Sequence, residues 1–355
     1  MRNLLLAFSL ALSVTLFAEA GKVVLVAGGG NTPPPGKATD IQLNGPFGVD
    51  WNHQGEMFII EIAGHRVMKV DAKGMLTLVA GSGAKGNNGD HGPGVKAAFN
   101  GMHSLAVTSN GQVLVADTWN NRVRMVDGRA MVHPFAGTGG KGFSGDGGPA
   151  VKAQFGGIYC LALDHGKKNL ILTDLDNRRI RLVNLKVGEV STAAGNGEKG
   201  APKDGSLAVE SPLVDPRAAV MDANNNLYIL ERSGHALRVV DAKGKIRTVM
   251  GTGKAGKGGV GGPALQTQMS GPKHLCVDGD GAILIADTEN HRVLRYDPLK
   301  QTSSLVAGTG KKGNGGVGGP PEEAELFQPH GVHIGPQGKI YITDSSNNRV
   351  LRIDE

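Results

Sequence analysis

The sequence is poor in aromatic residues and in cysteine. Aromatic residues make up 4% of the 355 residues, and there are only two cysteines. The scarcity of aromatic rings argues against a lectin that stacks sugars on them. Two cysteines cannot form a disulfide framework, and no haem-attachment, EF-hand or H-E-x-x-H motif occurs. After residue 20, no apolar run is long enough to span a membrane.

The first twenty residues differ in character from the rest of the chain. Arg2 precedes an apolar run over residues 4–17, and the small-residue pattern Ala18-Glu19-Ala20 follows. This arrangement predicts a secretory signal peptide over residues 1–20. We therefore expect the mature chain to begin near Gly21 and to be exported, to the periplasm or the cell exterior, without a membrane span.

The charge balance excludes one class of partner. The formal net charge is +6, and the lysines and arginines are interspersed with acids rather than gathered on one stretch. Such a mild excess favours anionic partners weakly and argues against nucleic acid, which requires a strongly basic surface.

Glycine, in contrast, is abundant and marks a repeat. The 56 glycines exceed twice the ordinary share of about 7%, yet they show no Gly-X-Y period. The stretch GFSGDGGPAVKAQF, residues 142–155, resembles a phosphate-binding loop, but related stretches occupy residues 86–99, 256–269 and 313–326. The nearest approach to a P-loop, GTGKAGKG at residues 251–258, ends in glycine where Ser or Thr is required. We interpret these stretches as connectors between repeats.

A second element recurs six times and defines the fold. It reads LIADTENHRVLRYD at residues 284–297, and its acid recurs every 56 or 57 residues, at Glu61, Asp117, Asp174, Glu231, Asp287 and Asp344. Each period contains four short β-like runs, which in the second copy cover residues 103–108, 112–117, 122–126 and 131–136. Six four-stranded units predict an all-β, six-bladed β-propeller over residues 21–355.

The last repeat stops after its third strand. Residues 21–30 match the missing fourth strand of the other repeats. We therefore predict that the N-terminal strand completes the last blade, because ring closure removes an open sheet edge. We expect a monomer.

The recurring motifs resemble the NHL-repeat family of β-propellers. The elements that carry this resemblance are Asp-x-x-Asn-x-Arg-[VI], as at Asp287, Asn290, Arg292 and Val293, and the Gly-Asp-Gly-Gly-Pro connector. The connector is similar to those of exported bacterial members and of the teneurin propeller. The resemblance implies a propeller that serves as a binding platform or sensor, or as an enzyme such as the peptide-amidating lyase or a lactonase. Fold alone does not choose among these functions.

Residues that recur in every repeat are interpreted as structural. The acid and the arginine five positions later, present in five repeats, would form an exposed ion pair worth about 0.2–1 kcal/mol. In the fourth repeat Ala236 replaces this arginine, so we expect Glu231 to lack a partner.

Residues that differ between repeats are the candidates for function. The position after the proline of the P-x-G-V pattern, on the innermost strand at the entrance to the axis, carries six dissimilar side chains, hereafter the axial ring: Phe47, His103, Tyr159, Arg217, Lys273 and His330. Two imidazoles, a phenol and two cations would suit an anionic ligand or a metal; the alternative is a ring of solvated strand starts.

A second group of candidates lies deeper along the predicted axis. Asp50, His274, Cys276 and His333 fall on three consecutive blades and are of the types that ligate zinc, although their spacing matches no metal signature. Polar groups in a wet channel are the alternative interpretation. Cys160 and Cys276 lie on blades three and five, which are not neighbours, so we expect free thiols.

Two functions follow from these candidates. The favoured one is an exported binding scaffold for a protein or anionic ligand at the axial face. The alternative is a metal-dependent lyase or hydrolase, with zinc or calcium as cofactor.

The amidating lyase uses histidine-held zinc with a catalytic tyrosine and arginine. His103, Tyr159, Arg217 and His330 are of these types, but Phe47 and Lys273 leave no third histidine at their level. A lactonase-like site needs a cage of Glu, Asn and Asp side chains around a metal near the axis, and of these only Asp50 is at hand.

Overall fold

Each sequence repeat folds into one antiparallel sheet, and six sheets form a propeller around a central axis. The structure is a computed structural model that describes residues 21–354. The predicted signal peptide, residues 1–20, lies outside the described residues. In five of the blades the four main strands follow chain order from the axis outwards, as expected for a meander of short strands joined by tight turns, and in the last blade the outermost strand comes from the N-terminal end of the described residues.

The strand bounds repeat with the sequence period. The strands of the first half are β1 (Lys22–Gly28), β2 (Gly36–Lys37), β3 (Pro46–Trp51), β4 (Met57–Glu61), β5 (Val67–Val70), β6 (Met75–Ala80), β7 (Met102–Val107), β8 (Val113–Asp117), β9 (Arg122–Val126), β10 (Val132–Ala136), β11 (Gly148–Pro149), β12 (Ile158–Leu163), β13 (Asn169–Asp174), β14 (Arg179–Asn184) and β15 (Glu189–Ala194). The four runs predicted for the second repeat are confirmed to within one residue at either end.

The second half continues the same pattern. Its strands are β16 (Pro216–Met221), β17 (Leu227–Glu231), β18 (Ala236–Val240), β19 (Ile246–Met250), β20 (His274–Val277), β21 (Ile283–Asp287), β22 (Arg292–Asp297), β23 (Thr302–Ala307), β24 (Gly331–Ile334), β25 (Ile340–Asp344) and β26 (Arg349–Asp354). The helices of the described residues are single 3₁₀ turns at Ala38–Asp40, Gly94–Lys96, Thr118–Asn120, Ala150–Lys152, Ala208–Glu210, Ala264–Gln266, Thr288–Asn290, Pro321–Glu323, Pro336–Gly338 and Ser345–Asn347. None of the helices in this part of the chain is long and apolar enough to cross a membrane.

The ring closes as predicted. The N-terminal strand β1 is the outermost strand of the last blade and pairs antiparallel with β26, from Lys22 opposite Asp354 to Gly28 opposite Arg349. On its other edge, Val23 exchanges backbone hydrogen bonds with the connector, donating to Gly319 (3.0 Å) and accepting from Gly318 (2.7 Å). The first and last described strands therefore share one sheet, and this closes the ring without leaving a blade incomplete.

The glycine-rich stretches are the connectors from the outer strand of one blade to the inner strand of the next. Each connector ends in an apolar residue that is fully buried between blades: Leu43, Phe99, Phe155, Leu213, Met269 and Leu326. Gly145 has a φ of +95°, and a Cβ there would strike Ala153. Glycine is therefore required where the connector doubles back on itself.

Each connector also touches the outer edge of the blade that it enters. In blades one and three this contact forms a fifth, two-residue strand, β2 on β6 and β11 on β15. The remaining outer strands receive isolated bridges or a few backbone hydrogen bonds from their connectors, such as Pro93 opposite Met131. The prediction of four strands per blade is confirmed, with these short additions at two outer edges.

The recurring acids are buried ion pairs, and the prediction of exposed pairs is wrong. All six carboxylates are 0% exposed. Each accepts a hydrogen bond from a backbone N–H 17 or 18 residues earlier, as Asp287 does from Ser270 at 2.7 Å. This bond ties the end of the second strand to the segment that precedes the first. Burial raises the pKa of Asp117, Asp174, Asp287 and Asp344, despite their partners.

The arginine partner also differs from the prediction in two blades. Arg292 donates to Asp287 at 2.8 Å, as expected, but Glu231 is paired with Arg238, seven positions later, at 2.7 Å. In blade three Arg181, not Arg179, forms the ion pair with Asp174, at 3.4 Å. The prediction that Glu231 lacks a partner is therefore wrong, because a residue two positions further along the same strand side also reaches the acid.

The acid type is matched to the residue three positions later. Where the acid is Asp, an Asn follows and donates to it, as Asn290 does to Asp287 at 2.8 Å. Where the acid is Glu, the residue is Gly64 or Gly234, and a Cβ there would collide with the longer carboxylate. The extra methylene of Glu thus occupies the space that Asn fills elsewhere, so the two combinations are alternative ways to fill the same volume.

Candidate functional site

The first strands deliver the axial ring to one end of the axis. Phe47 of blade one and His330 of blade six stack with ring centroids 3.7 Å apart. His103 of blade two lies edge-on to Phe47 at 5.4 Å and contacts Tyr159 of blade three at 4.5 Å. Because consecutive blades are brought together here, side chains up to 283 residues apart in sequence form one cluster.

Arg217 lies within this cluster and is the least satisfied charge in it. It is 3% exposed, and its guanidinium carbon lies 4.3 Å from the centroid of the Tyr159 ring. One of its nitrogens, Nη2, donates to Nε2 of His330 at 2.8 Å. The other two, Nε and Nη1, are buried and have no hydrogen-bond partner in the described residues. Burial lowers the pKa of Arg217 to about 10, so the side chain is still charged at neutral pH.

His330 adds a third unpaired donor. Guanidinium nitrogens only donate, so Nε2 of His330 must accept from Arg217, and the imidazole proton lies on Nδ1. Nδ1 is buried and has no partner in the described chain. Burial and the charge of Arg217 hold the pKa of His330 well below its usual value, so the ring is neutral. Three N–H donors without acceptors are therefore gathered around one arginine–histidine contact.

The remaining members of the axial ring are already engaged. Nδ1 of His103 donates to the backbone oxygen of Gly101 at 2.7 Å, and burial keeps its pKa well below the usual range. Lys273 is directed to the surface, where its ammonium pairs with Glu289 at 2.9 Å. The structure thus brings five of the six predicted residues into mutual contact, and Lys273 lies at the edge of the cluster.

The four metal candidates do not form a metal site. Both oxygens of Asp50 accept backbone N–H groups, from Trp51 at 2.8 Å and from Val107 at 2.6 Å. Nε2 of His333 accepts from the backbone of Val49 at 3.4 Å. Over residues 21–354, no group of three or more His, Cys, Asp or Glu side chains is arranged to hold a metal ion. The prediction of a shared zinc-type set therefore gains no support, since both oxygens of Asp50 and Nε2 of His333 are already engaged by backbone groups.

These axial polar residues instead join neighbouring blades. Asp50 of blade one binds the backbone of blade two, and His333 of blade six binds that of blade one. Ser104 of blade two exchanges hydrogen bonds with Leu161 of blade three, and Nδ1 of His274 donates to Val332 of blade six at 3.1 Å. The inner strand of a blade has no sheet neighbour on its axial edge, so side chains of the preceding blade satisfy its free backbone groups.

The opposite end of the axis contains a cavity of about 510 Å³, hereafter the axial cavity. Asp50, His274, Cys276 and His333 line it together with the inward faces of the first strands, and Lys167 lies at its rim. Burial raises the pKa of Asp50 to about 6 and lowers that of His274 to about 4. Burial also raises the pKa of the Cys276 thiol. Both cysteines are free.

Comparison with known proteins identifies the repeat. The NHL repeat family matches residues 99–124, 269–296 and 328–353, which lie in blades two, five and six. The chain is 27% identical over 274 residues to Protein SUPPRESSOR OF QUENCHING 1, chloroplastic, of Arabidopsis thaliana, covering 73% of this chain and 25% of that protein. It is 25% identical over 343 residues to NHL repeat-containing protein 2 of Bos taurus, covering 87% and 46%.

A more distant similarity supports the same family. Teneurin-3 of Mus musculus is 25% identical over 220 residues, covering 55% of this chain and 8% of that protein. The chain spans about a quarter to a half of the length of the first two relatives. Together with the six blades, these matches define a propeller built from NHL repeats. The chain is thus a six-bladed β-propeller that matches the NHL repeat in three of its blades.

Solved structures with the same fold have varied descriptions. A protein of unknown function from Bacteroides thetaiotaomicron aligns with a TM-score of 0.70 at 16% identity, covering 94% of this chain and 76% of that one. An auxiliary nutrient binding protein from Bacteroides ovatus gives 0.67 at 14%, with the same coverage. Virginiamycin B lyase from Staphylococcus aureus gives 0.54 at 12%, covering 89% and 98%. At these identities the likeness shows the fold alone.

Proposed function

We propose that this protein is an exported binding propeller that holds an anionic ligand at the axial ring, with Arg217 as the principal contact. The observation that carries the proposal is the buried guanidinium of Arg217, which has no salt bridge among residues 21–354 and two unpaired nitrogens. A buried charge without a counterion is costly, whereas a bound anion would supply both the charge and the acceptors.

The neighbours of Arg217 favour a ligand over a structural counterion. The nearby cations Arg232 and Lys273 are already paired with Asp215 and Glu289. Asp215, whose charge acts on Arg217, is thus already paired with Arg232, and the unpaired Nδ1 of His330 adds a donor beside Arg217. An anion, whether a small molecule or a group on a protein, would find donors that the chain itself leaves unused.

Two further observations support the other parts of the proposal. Export is supported by the signal-peptide pattern of residues 1–20. A binding function is supported by the similar fold of a protein described as an auxiliary nutrient binding protein. The enzymatic alternative, a metal-dependent lyase or hydrolase, has the fold of the virginiamycin lyase in its favour. Against it, no group of three or more His, Cys, Asp or Glu side chains among residues 21–354 is arranged to hold a metal ion, and Asp50 and Nε2 of His333 already accept backbone N–H groups.

The test is anion binding to protein expressed with its own residues 1–20 and collected outside the cytoplasm. Calorimetric titration with acetate and inorganic phosphate should show binding of at least one anion to the wild-type protein. Arg217→Met should weaken that binding by at least about tenfold, because it removes a charge-assisted hydrogen-bond donor. The matched control is Arg232→Met, which removes an exposed, paired arginine at the same end and should leave the affinity within about twofold.

Three outcomes would contradict the proposal. Retention of the intact chain inside the cell would contradict export. Equal affinities in the wild-type and Arg217→Met proteins would contradict the assigned contact. Stoichiometric metal that is lost on His330→Ala substitution would instead support the metalloenzyme.

A further inference from the structure

One aromatic side chain beside the axial ring has no counterpart in the other blades. Trp119 lies in the 3₁₀ turn between β8 and β9 and is 49% exposed. The equivalent positions, two residues after each recurring acid, hold small or polar residues: Ala63, Asp176, Ser233, Glu289 and Ser346. A large exposed ring at one blade only is not required by the repeat, so it calls for a different explanation.

The indole is held in place from one side and is open on the other. Its ring lies edge-on to His103, with centroids 5.6 Å apart. The backbone of Gly101 packs so closely against it that a Cβ at Gly101 would collide with the ring. The backbone N–H of Trp119 donates to the backbone oxygen of Asn100 at 3.1 Å and fixes the turn that carries the ring. About half of the residue nevertheless remains accessible, and the ammonium of Lys85 lies 5.9 Å from the ring centroid. Trp119 is therefore a fixed stacking surface next to the cluster.

The charge of the cluster limits the anion that it can hold. His103 and His330 are neutral because burial lowers their pKa values. Lys273 and Arg232 are neutralised by Glu289 and Asp215. Within the axial ring, the one positive charge without a paired acid among residues 21–354 is therefore that of Arg217, and the ammonium of Lys85 lies outside the ring, beside Trp119. A monoanion matches the charge of Arg217, whereas a dianion would leave an unpaired negative charge in a buried site.

We propose that the ligand is a carboxylate carried on a ring, with the carboxylate at Arg217 and the ring stacked on Trp119. This inference rests on the proposed function of the same site. The planar guanidinium and the carboxylate have matching geometry. The His103 ring lies next to both contacts, with its centroid 5.6 Å from that of Trp119 and 5.9 Å from that of His330, so a ligand that reaches both would cross His103. Aromatic acids and sugar acids share this chemistry, because both an aromatic ring and a pyranose can lie flat on indole.

The two tryptophans of the chain make this inference measurable by fluorescence. Trp51, the other tryptophan, packs against Tyr341 at 4.6 Å and lines the axial cavity at the opposite end of the axis. In the Trp51→Phe variant, emission reports on Trp119 alone. We expect benzoate or galacturonate to change that emission and to bind at least about tenfold more tightly than acetate, which has no ring. Tighter binding of benzoate would indicate an aromatic acid as the ligand, and tighter binding of galacturonate would indicate a sugar acid.

A second pair of variants separates stacking from folding. Trp119→Ala should reduce the affinity for the ring-borne acid to that for acetate, while acetate binding stays unchanged. Trp119→Phe should restore part of the preference. If acetate, benzoate and galacturonate bind equally and Trp119→Ala has no effect, while Arg217→Met still abolishes binding, the ring is not recognised and only this inference fails. If no anion binds at all, the proposed function fails with it.

Discussion

The recurring carboxylates and Arg217 are both charges inside the ring, but they differ in how completely they are paired. Asp287 has a backbone amide, an asparagine and an arginine as partners, and each of the other recurring acids has at least a backbone amide and an arginine. Arg217 has one imidazole and the face of one phenol. A buried charge whose hydrogen-bonding atoms all have partners within the chain stabilises the blade. A buried charge with unpaired hydrogen-bonding atoms is instead what we expect at a ligand site, as proposed for Arg217. Asp50 is intermediate in its pairing, because it accepts hydrogen bonds from two backbone amides but has no ion-pair partner.

The largest effect is expected where the pairing is complete. Asp287→Ala leaves Asn290 and Arg292 without their buried acceptor, so we expect it to lower the free energy of unfolding by about 3–5 kcal/mol. Urea denaturation followed by circular dichroism measures this. Asp280→Ala, in the same blade, removes an exposed acid paired with Arg295 and should cost less than about 1 kcal/mol. Similar losses in the two variants would remove the distinction between buried and exposed pairs.

An intermediate, pH-dependent effect is expected at Asp50. Burial raises its pKa to about 6 in the folded protein, against about 3.9 in an unfolded chain. Between these values the folded state holds a proton that the unfolded state has lost, so stability falls as the pH rises through this window and is constant above it. The stability of the wild-type protein relative to Asp50→Asn should therefore decrease by up to about 3 kcal/mol from pH 4 to pH 7. Parallel stability curves for the two proteins would show that Asp50 does not titrate in this range.

The smallest effect on stability is expected at Arg217. Arg217→Met replaces a poorly paired buried charge with an apolar side chain, which is generally neutral or stabilising. We expect the melting temperature to stay the same or to rise, even though anion binding is lost. A loss of more than about 2 kcal/mol would show that Arg217 is a structural residue, and the comparison with Asp287 would no longer hold.

The sequence predicts the ring because its information is periodic. The spacing of the acids gives six blades, and the similarity of residues 21–30 to the other fourth strands gives the closure. The choice of arginine partner was missed, although a signal existed. Arg124, Arg181 and Arg238 all lie seven positions after the acid in blades two to four, on the same side of the strand as the fifth position.

The candidate site is less predictable because its contacts cross blades. Position in the repeat correctly gathers Phe47, His103, Tyr159, Arg217 and His330, but it does not reveal that Arg217 lacks an acid, since that depends on which neighbours pair elsewhere. The same limit applies to Asp50 and His333. Their backbone partners, Val107 and Val49, belong to other blades, so the sequence shows only ligand-type residues and not their occupied atoms. Trp119 stands out once the six equivalent turns are aligned.

The connectors that touch the outer strands restrict how partners can attach. Proteins with free sheet edges often recruit peptides by β-augmentation, in which the peptide adds a further strand. Here a peptide would have to displace β2 from β6, or Gly318 and Gly319 from Val23, before it could pair. The circumference of the propeller is thus poorly suited to strand exchange, and recognition is directed to the two flat faces, where the side chains differ from blade to blade.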